Sequence, residues 1–558
     1  MNKVRARGKK AGYSRDDYVA AYAVYGSIRK TAKAMGVTHR PVEIALKRTD
    51  MQPSKTELYG NIGGQTKTVV KKVPKTGVKR YIVTAAQTET KINEGFWNNL
   101  LELARYYGAE VLVAPFAYNK QAFGHQSNSK PGAKRDENEL FSAMDPALVP
   151  YLVSDRVQLA KGLVFCAEVQ ILPTATDPLS GLETYTGRSS GIFPHAKIEL
   201  RSIPSMRDEP TKFNYTTGCV TRHNYIQKKA GQKGEFHHAY GALIVEVMKD
   251  GWWVRQLNAD KDNIIYDLDV YAAHDDELGA TIFSAVGAEA LVSGDVHVAE
   301  LDPEVKEATW GKGGLVDLLA PRVQVLHDVF DMRSRPWQDE QSFHRQLEKH
   351  VKKQESVEDE VRECAEVLNE LCSKVEKTVI VRSNHDLKLE KWLDVGDYKK
   401  DLINAPFFLR AQLAKVNAIL RGDKSFKVLQ WAITSVATSH QFTALLGKGV
   451  QYLAEDESYI LCPEAGGGIE CGNHGHLGVN GAKGTPKGFT KMARKMIIGD
   501  KHVAGIYGGV YVTGTCTGRD VAYAKGPSSW SPTDCVVYRN GKRALVTMWK
   551  GRFFAPRP

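Results

Sequence analysis

At 558 residues the chain is too long for one ordinary domain, and two or three are expected. Hydrophobic content of 42% and charged content of 25% exclude a disordered or fibrous chain and leave ample material for a core. A formal net charge of +12 favours a polyanionic partner. No apolar run approaches a membrane span, and the basic N-terminus lacks the apolar stretch of a signal peptide, so a cytoplasmic location is expected. The eight cysteines are scattered without a C-x-x-C pair, which argues against a structural zinc site and for reduced thiols.

Residues 1–50 are basic and helical in pattern. Val19, Tyr22, Ala23, Ile28, Ala32 and Met35 recur at roughly helical spacing. The run from Ser27 through Gly36 to Arg48 reads as helix, glycine turn, helix, with Thr38 as a cap and Pro41 in the first turn of the second helix. This pattern resembles the helix-turn-helix of phage and bacterial DNA-binding proteins. The resemblance implies DNA contact through Arg29, Lys30, Thr38, His39, Arg40 and Lys47; the alternative is a helical hairpin packed on the main body. Residues 51–78, rich in Gly, Lys and Thr, read as a linker.

An α/β central domain is expected over 79–287. It opens with a β-α-β unit: a strand from Tyr81, an amphipathic helix over Asn93 to Tyr107, and a strand from Ala109. Residues 119–139 form a long polar loop, followed by strand-like runs at Leu163, Ala242 and Trp252. His195 and the pair His237-His238 are read as structural. No internal repeat is visible.

From residue 288 the pattern becomes strand, polar motif, helix. Five motifs follow apolar runs: Ser-Gly-Asp295-Val-His297, His327-Asp328-Val-Phe-Asp331, Arg382-Ser-Asn384-His385-Asp386, Gly472-Asn-His474-Gly-His476 and Gly499-Asp500-Lys-His502. Cys462 and Cys471, beside the fourth, read as small core residues. A long charged helix is expected over roughly 338–376, helices over 398–445 as an insertion, and a C-terminal hairpin turned by Asn540-Gly541. Strand ends in a layered α/β fold converge on one edge, where carboxylates, imidazoles and an amide can hold two cations roughly 3.5–4 Å apart around a phosphate.

The ordered set resembles the calcineurin-like metallophosphoesterases, whose pattern is D-x-H, G-D-x-x-D, G-N-H-D/E, a lone H and G-H-x-H. The stretch from Asp328 to Pro336 is similar to the second motif of SbcD-type nucleases. In layout the whole chain resembles the pre-early host-takeover proteins of tequintaviruses, associated with host DNA degradation. The resemblance implies a four-layer αββα sandwich over 288–558. It implies that Asp295 and His297 bind a first metal, that Asp328 bridges, that Asn384 and His474 bind a second, and that His502 returns to the first. His385 would protonate the leaving oxygen, with Asp386 orienting it. Three departures stand out: His327 and Ser383 replace glycines, and Asp500 replaces the first His of G-H-x-H, where a carboxylate can still ligate. The donor set suits manganese, with magnesium, zinc or iron as alternatives.

The expected function is a two-metal DNase of phage origin acting on host DNA. The alternatives are a phosphatase or small-nucleotide phosphodiesterase, and a DNA-binding regulator with a degenerate centre. Arg333, Arg335, Lys483 and Lys487 are candidates for backbone tracking, each individually read as a surface charge. A homo-oligomer is expected, with 398–445 as a candidate interface.

Overall fold

A computed structural model describes residues 15–25, 27–37, 39, 41–42, 68–118, 144–206, 209–336, 342–519, 521 and 525–556. The chain divides into two units, residues 1–66 and residues 67–558.

In the first unit, helices span Arg15–Tyr25 and Ile28–Ala34. Ser27 caps the second by accepting a hydrogen bond from the Lys30 amide at 3.2 Å. Gly36 follows with φ +65°, as a left-handed turn requires. Ala32 and Val42 are buried against Tyr18, Tyr22, Ile28 and Val37. Arg29, Lys30 and His39 are exposed. Thr38, Arg40 and Lys47 lie outside the described residues.

The second unit is a mixed α/β body. One sheet has six strands, in the order Val450–Tyr452, Lys377–Ile380, Val323–His327, Ala290–Asp295, Thr533–Val537 and Arg543–Thr547. The first four run parallel and the last two are antiparallel. Ala290, Val292, Val323, Val325 and Val379 point into a core shared with an eleven-stranded sheet. Leu291, Leu326 and Ile380 point the other way, into a core formed with the helices Val357–Ser373, Asp386–Val395, Ala405–Leu420 and Val428–His440. Burial on both faces explains why these strands read as continuous apolar runs. The C-terminal hairpin turns as expected, Gly541 taking φ +75°.

A four-stranded sheet repeats this arrangement. Its order is Gly251–Asn258, Gly241–Met248, Lys79–Gln87, Glu110–Phe116, paired antiparallel, antiparallel, parallel. The strands Arg543–Thr547, Thr533–Val537, Ala290–Asp295 and Val323–His327 pair in the same way. In each case an Asn- or Asp-capped helix follows the third strand of that order: Glu94–Tyr107 after Asn93, Pro303–Trp310 after Asp302.

The eleven-stranded sheet holds five further strands of each copy. Arg156–Ala160, Leu163–Cys166, Ser190–Phe193, Lys212–Thr216 and Glu199–Ile203 pair antiparallel, parallel, parallel, antiparallel. Ile460–Leu461, Ile469–Glu470, Lys495–Ile498, Val510–Val512 and Gly505–Tyr507 do the same. The copies meet where Glu199–Ile203 pairs antiparallel with Gly505–Tyr507. The sheet therefore takes strands from both sides of residue 287.

This corrects the expectation that the chain has no internal repeat. Pairing pattern is kept while side chains have diverged. The clearest sequence echo is Tyr215-Thr-Thr217-Gly218-Cys-Val-Thr221 against Tyr511-Val-Thr513-Gly514-Thr-Cys-Thr517.

Two further differences are local. Thr68–Val70, in the stretch expected as a linker, pairs in parallel with Arg156–Ala160. The long charged helix is two helices, Phe343–Val351 and Val357–Ser373. The second begins where Ser356 accepts the Asp359 amide at 3.1 Å, an N-cap that starts a new helix and that the charge pattern conceals.

Candidate metal centre

Asp295 ends its strand at a β-bulge, two residues before His297. Asp328 directly follows Val323–His327, and His502 lies four residues past Lys495–Ile498. One donor atom from each of Asp295, His297, Asp328 and His502 can be chosen so that all four lie within 4.8 Å of one another. All four side chains are buried. His297, Asp328, Asp500 and His502 adopt φ of +43°, +47°, +64° and +55°. Non-glycine residues reach this region at a cost of about 1–2 kcal/mol each, so the loops are held there by their surroundings.

The cluster is crowded with donors and short of partners. His297 Nε2 lies 2.9 Å from His502 Nε2 and 3.5 Å from Asp328 Oδ2. His474 Nε2 lies 3.2 Å from Asp328 Oδ2, and His502 Nε2 lies 3.2 Å from Asp295 Oδ2. Both Asp295 oxygens, Asp328 Oδ1, His474 Nε2 and His502 Nδ1 are buried without hydrogen-bond geometry to any partner. Buried carboxylates left like this are costly unless a cation sits among them. The donor set fits a divalent ion bound by carboxylate and imidazole.

Without an ion, protons carry the compensating charge. Burial disfavours the imidazolium forms of His297 and His474. The carboxylates of Asp331 and Asp328 outweigh that and raise both to about 9. Burial likewise opposes ionisation of Asp328, but His474 and His297 hold it well below the usual carboxylate range.

The remaining predicted residues fall around this cluster. His474 reaches it through Asp328, and its Nδ1 stands 3.9 Å from Asp295 Oδ1. Asp500 comes within 3.9 Å of His474 Nε2, but its carboxylate is ion-paired with Lys501. Asn384 Oδ1 is buried without a hydrogen-bond partner. His385 Nδ1 sits 3.5 Å from Asp331 Oδ1. Asp386 accepts the Ser383 amide at 3.1 Å at the start of its helix, and burial, then the charge of Asp328, pushes its carboxyl up to about 7. Both ring nitrogens of His476 are buried and unpartnered.

Several participants had no assigned role in the sequence reading. Asp331 Oδ1 lies 2.6 Å from His297 Nδ1, which it orients, and faces His385 Nδ1 at 3.5 Å without hydrogen-bond geometry. Its place in the Asp328-Val-Phe-Asp331 motif was the available signal. His327 is fully buried, its Nδ1 3.3 Å from His474 Nδ1. Burial, then the neighbouring His474, lowers it to about 4, so it is neutral. Gly499 leaves room for the centre: a Cβ there would stand 2.2 Å from Asp295 Oδ1.

Three basic residues near the motifs are engaged. Arg333 pairs with Glu363, Arg335 binds Asp401 through two nitrogens at 2.6 and 2.8 Å, and Lys487 reaches Asp177 at 2.8 Å. Among the described residues Lys483 has no ion pair.

Among the described residues the first copy shows no matching cluster. Ile498 and Phe193 hold the same register place in their strands, so Asp500 and His502 correspond to His195 and Lys197. His195 Nδ1 accepts the Lys197 amide at 2.9 Å and its Nε2 lies 3.3 Å from the Leu172 carbonyl. Lys197 is ion-paired with Glu199. His238 meets the Tyr225 hydroxyl and the Thr221 carbonyl, both at 2.9 Å. These histidines are structural. Among the described residues, the groups able to hold an ion are Asp295 with His297, Asp328 and His502, and His297 with Asp331 and His385.

The fold and site together define a mixed α/β protein with a buried carboxylate–imidazole cluster compatible with a divalent cation. The chain is 38% identical over 489 residues to Protein A1 of Escherichia phage T5, covering 86% of this chain and 83% of that protein, and it belongs to the same phage protein family. No protein-family model matches the chain, and no solved structure matches it. No described helix is long and apolar enough to cross a membrane.

Proposed function

We propose that the chain is a metal-dependent phosphodiesterase that hydrolyses DNA, with manganese as its favoured ion, acting on host DNA in the bacterial cytoplasm during phage infection. The observation that carries this reading is the convergence of Asp295, His297, Asp328 and His502, from separate strand ends, on donor atoms within 4.8 Å. Residues 288–558 are read as a metallophosphoesterase domain, beside the central region 79–287 and a DNA-contacting helix-turn-helix over 1–50. The net charge of +12 supports a polyanion such as a nucleic acid as substrate.

When bound, divalent ions supply Lewis-acid stabilisation of the phosphate and a water of lowered pKa. The chain's own residues do the rest. Asp328, between His297 and His474, would hold an ion together with those imidazoles. Asp331 fixes His297 through Nδ1, leaving Nε2 for an ion. His385 is partly open, its side chain 18% exposed, with Nδ1 toward Asp331. It can deliver a proton to the leaving oxygen.

The test is DNA cleavage by the purified protein with manganese, beside Asp328→Ala and His385→Ala. Cleavage lost in both variants while they stay folded supports the reading. A wild type that binds DNA without cutting removes it. That outcome would favour a second reading, a catalytically weak DNA-binding regulator, for which the observation is that Asp500 pairs with Lys501. Self-association is proposed through the helix Ala405–Leu420, whose Leu409, Leu413, Val416 and Leu420 are 49%, 62%, 45% and 79% exposed at a 4-3-4 spacing.

A further inference from the structure

The largely apolar cavity at the seam of the two copies has no part in the metal centre. Its volume is about 340 Å³, within the range of small-molecule sites. Trp252 and Phe213 come from the first copy, and Trp549 and Met548 from the second. Two hairpin tips bring cations to it: Lys161, in the turn between Arg156–Ala160 and Leu163–Cys166, and Lys249, in the turn between Gly241–Met248 and Gly251–Asn258. Both lysines are exposed, and among the described residues neither forms an ion pair or hydrogen bond. The acid at the rim, Asp250, already faces Arg552 at 4.0 Å. Trp252 offers an indole N–H with no partner among the described residues.

These features select a ligand. Indole and phenyl walls take a planar ring, and tryptophan favours stacking with it. The unpaired ammonium groups at the mouth take an anion attached to that ring. We infer that the cavity binds a nucleoside monophosphate, its base against Trp252 and Trp549 and its phosphate at Lys161 and Lys249. The inference rests on the cavity's own chemistry and not on the proposed activity of the metal centre.

The position of the cavity adds a consequence. Ser531 and Pro532 line it, and the preceding residue, Trp530, packs edge-on against the His502 ring with centroids 4.2 Å apart. The Ser531 amide also donates to the His502 carbonyl at 3.3 Å. A ligand in the cavity therefore bears on the segment that holds a metal-centre residue.

The experiment is calorimetric titration of the full chain, kept metal-free with a chelator, with deoxyadenosine monophosphate, deoxyadenosine and inorganic phosphate. The nucleotide should bind once per chain, and the nucleoside and phosphate at least about tenfold more weakly. Trp252→Leu should weaken the nucleotide by about tenfold, as should Lys161→Ala with Lys249→Ala, while Asp328→Ala should not. The lysine variant alters only exposed side chains and carries the test if Trp252→Leu does not fold. Three results would overturn the inference: no saturable nucleotide binding, phosphate binding as tightly as the nucleotide, or binding lost in Asp328→Ala and kept in the cavity variants.

Discussion

Leu200 and Ile506 pair directly across the junction of the two copies, and each is the other's counterpart. Leu200 also pairs with Tyr215 and Ile506 with Tyr511, the tyrosines that open the shared Tyr-x-Thr-Gly sequence. Equivalent residues meeting in antiparallel register is what a local two-fold axis demands. The chain thus holds, within one polypeptide, an arrangement that two identical subunits would form.

The two copies are unequal in chemistry, and metal content should show it. All bound manganese should belong to the second copy. Asp295→Ala combined with Asp328→Ala should abolish binding measured by elemental analysis of dialysed protein. His195→Gln, in the first copy, should leave the stoichiometry unchanged. Ions retained by the double variant would place a second centre in the first copy.

His327 should hold His474 in the tautomer an ion needs. With Nε2 turned to Asp328, the His474 Nδ1–H has the neutral His327 Nδ1 as its acceptor at 3.3 Å. His327→Ala should lower metal affinity by about 10–100-fold, the usual effect of losing such a partner. Nitrogen-detected NMR of the histidine rings should show the His474 tautomer becoming mixed. An unchanged tautomer would assign His327 to packing alone.

Gly499→Ala should damage the centre without unfolding the chain. The added Cβ would approach Asp295 Oδ1 to 2.2 Å, so the carboxylate must move. Metal binding should weaken while the denaturation midpoint changes little.

Metal binding should release protons and strengthen as pH rises toward about 9. Burial disfavours protonation of His297 and His474, but Asp331 and Asp328 raise both to about 9 in the metal-free state. An incoming cation must displace those protons, which gives about tenfold in affinity per pH unit for each proton released. The contribution of these raised groups to metal-free stability is fully present below pH ~6.5 and lost as pH rises through about 9. Calorimetry in buffers of different ionisation enthalpy measures the protons directly.

Acid should destabilise the first copy. Burial lowers His195 and His238 to about 4. A depressed folded-state value stabilises the fold above the unfolded value of ~6.5, and the contribution is lost as pH falls through about 4. Each histidine accounts for about 3 kcal/mol. Urea midpoints from pH 7.5 to 4.5 should fall steeply in the wild type and less steeply in His238→Gln.

The sequence by itself determined the elements and the donor types. Apolar runs such as Val323-Gln-Val-Leu mark strands buried on both faces, and polar motifs after them mark strand ends, because side-chain period and burial are local properties. Asp295, His297, Asp328 and His502 were legible as donors for the same reason. Tertiary structure alone decided which donors meet. Asp500 turned to Lys501 because its neighbour in the chain supplied a nearer charge, and Asp331 gained its role because His297 and His385 converge on it from loops 88 residues apart (385 − 297). The duplication left only a faint trace in the residues, the shared Tyr-x-Thr-Gly sequence. Strand pairing depends on backbone groups that every sequence carries, so it can persist after the side chains that would reveal it have changed.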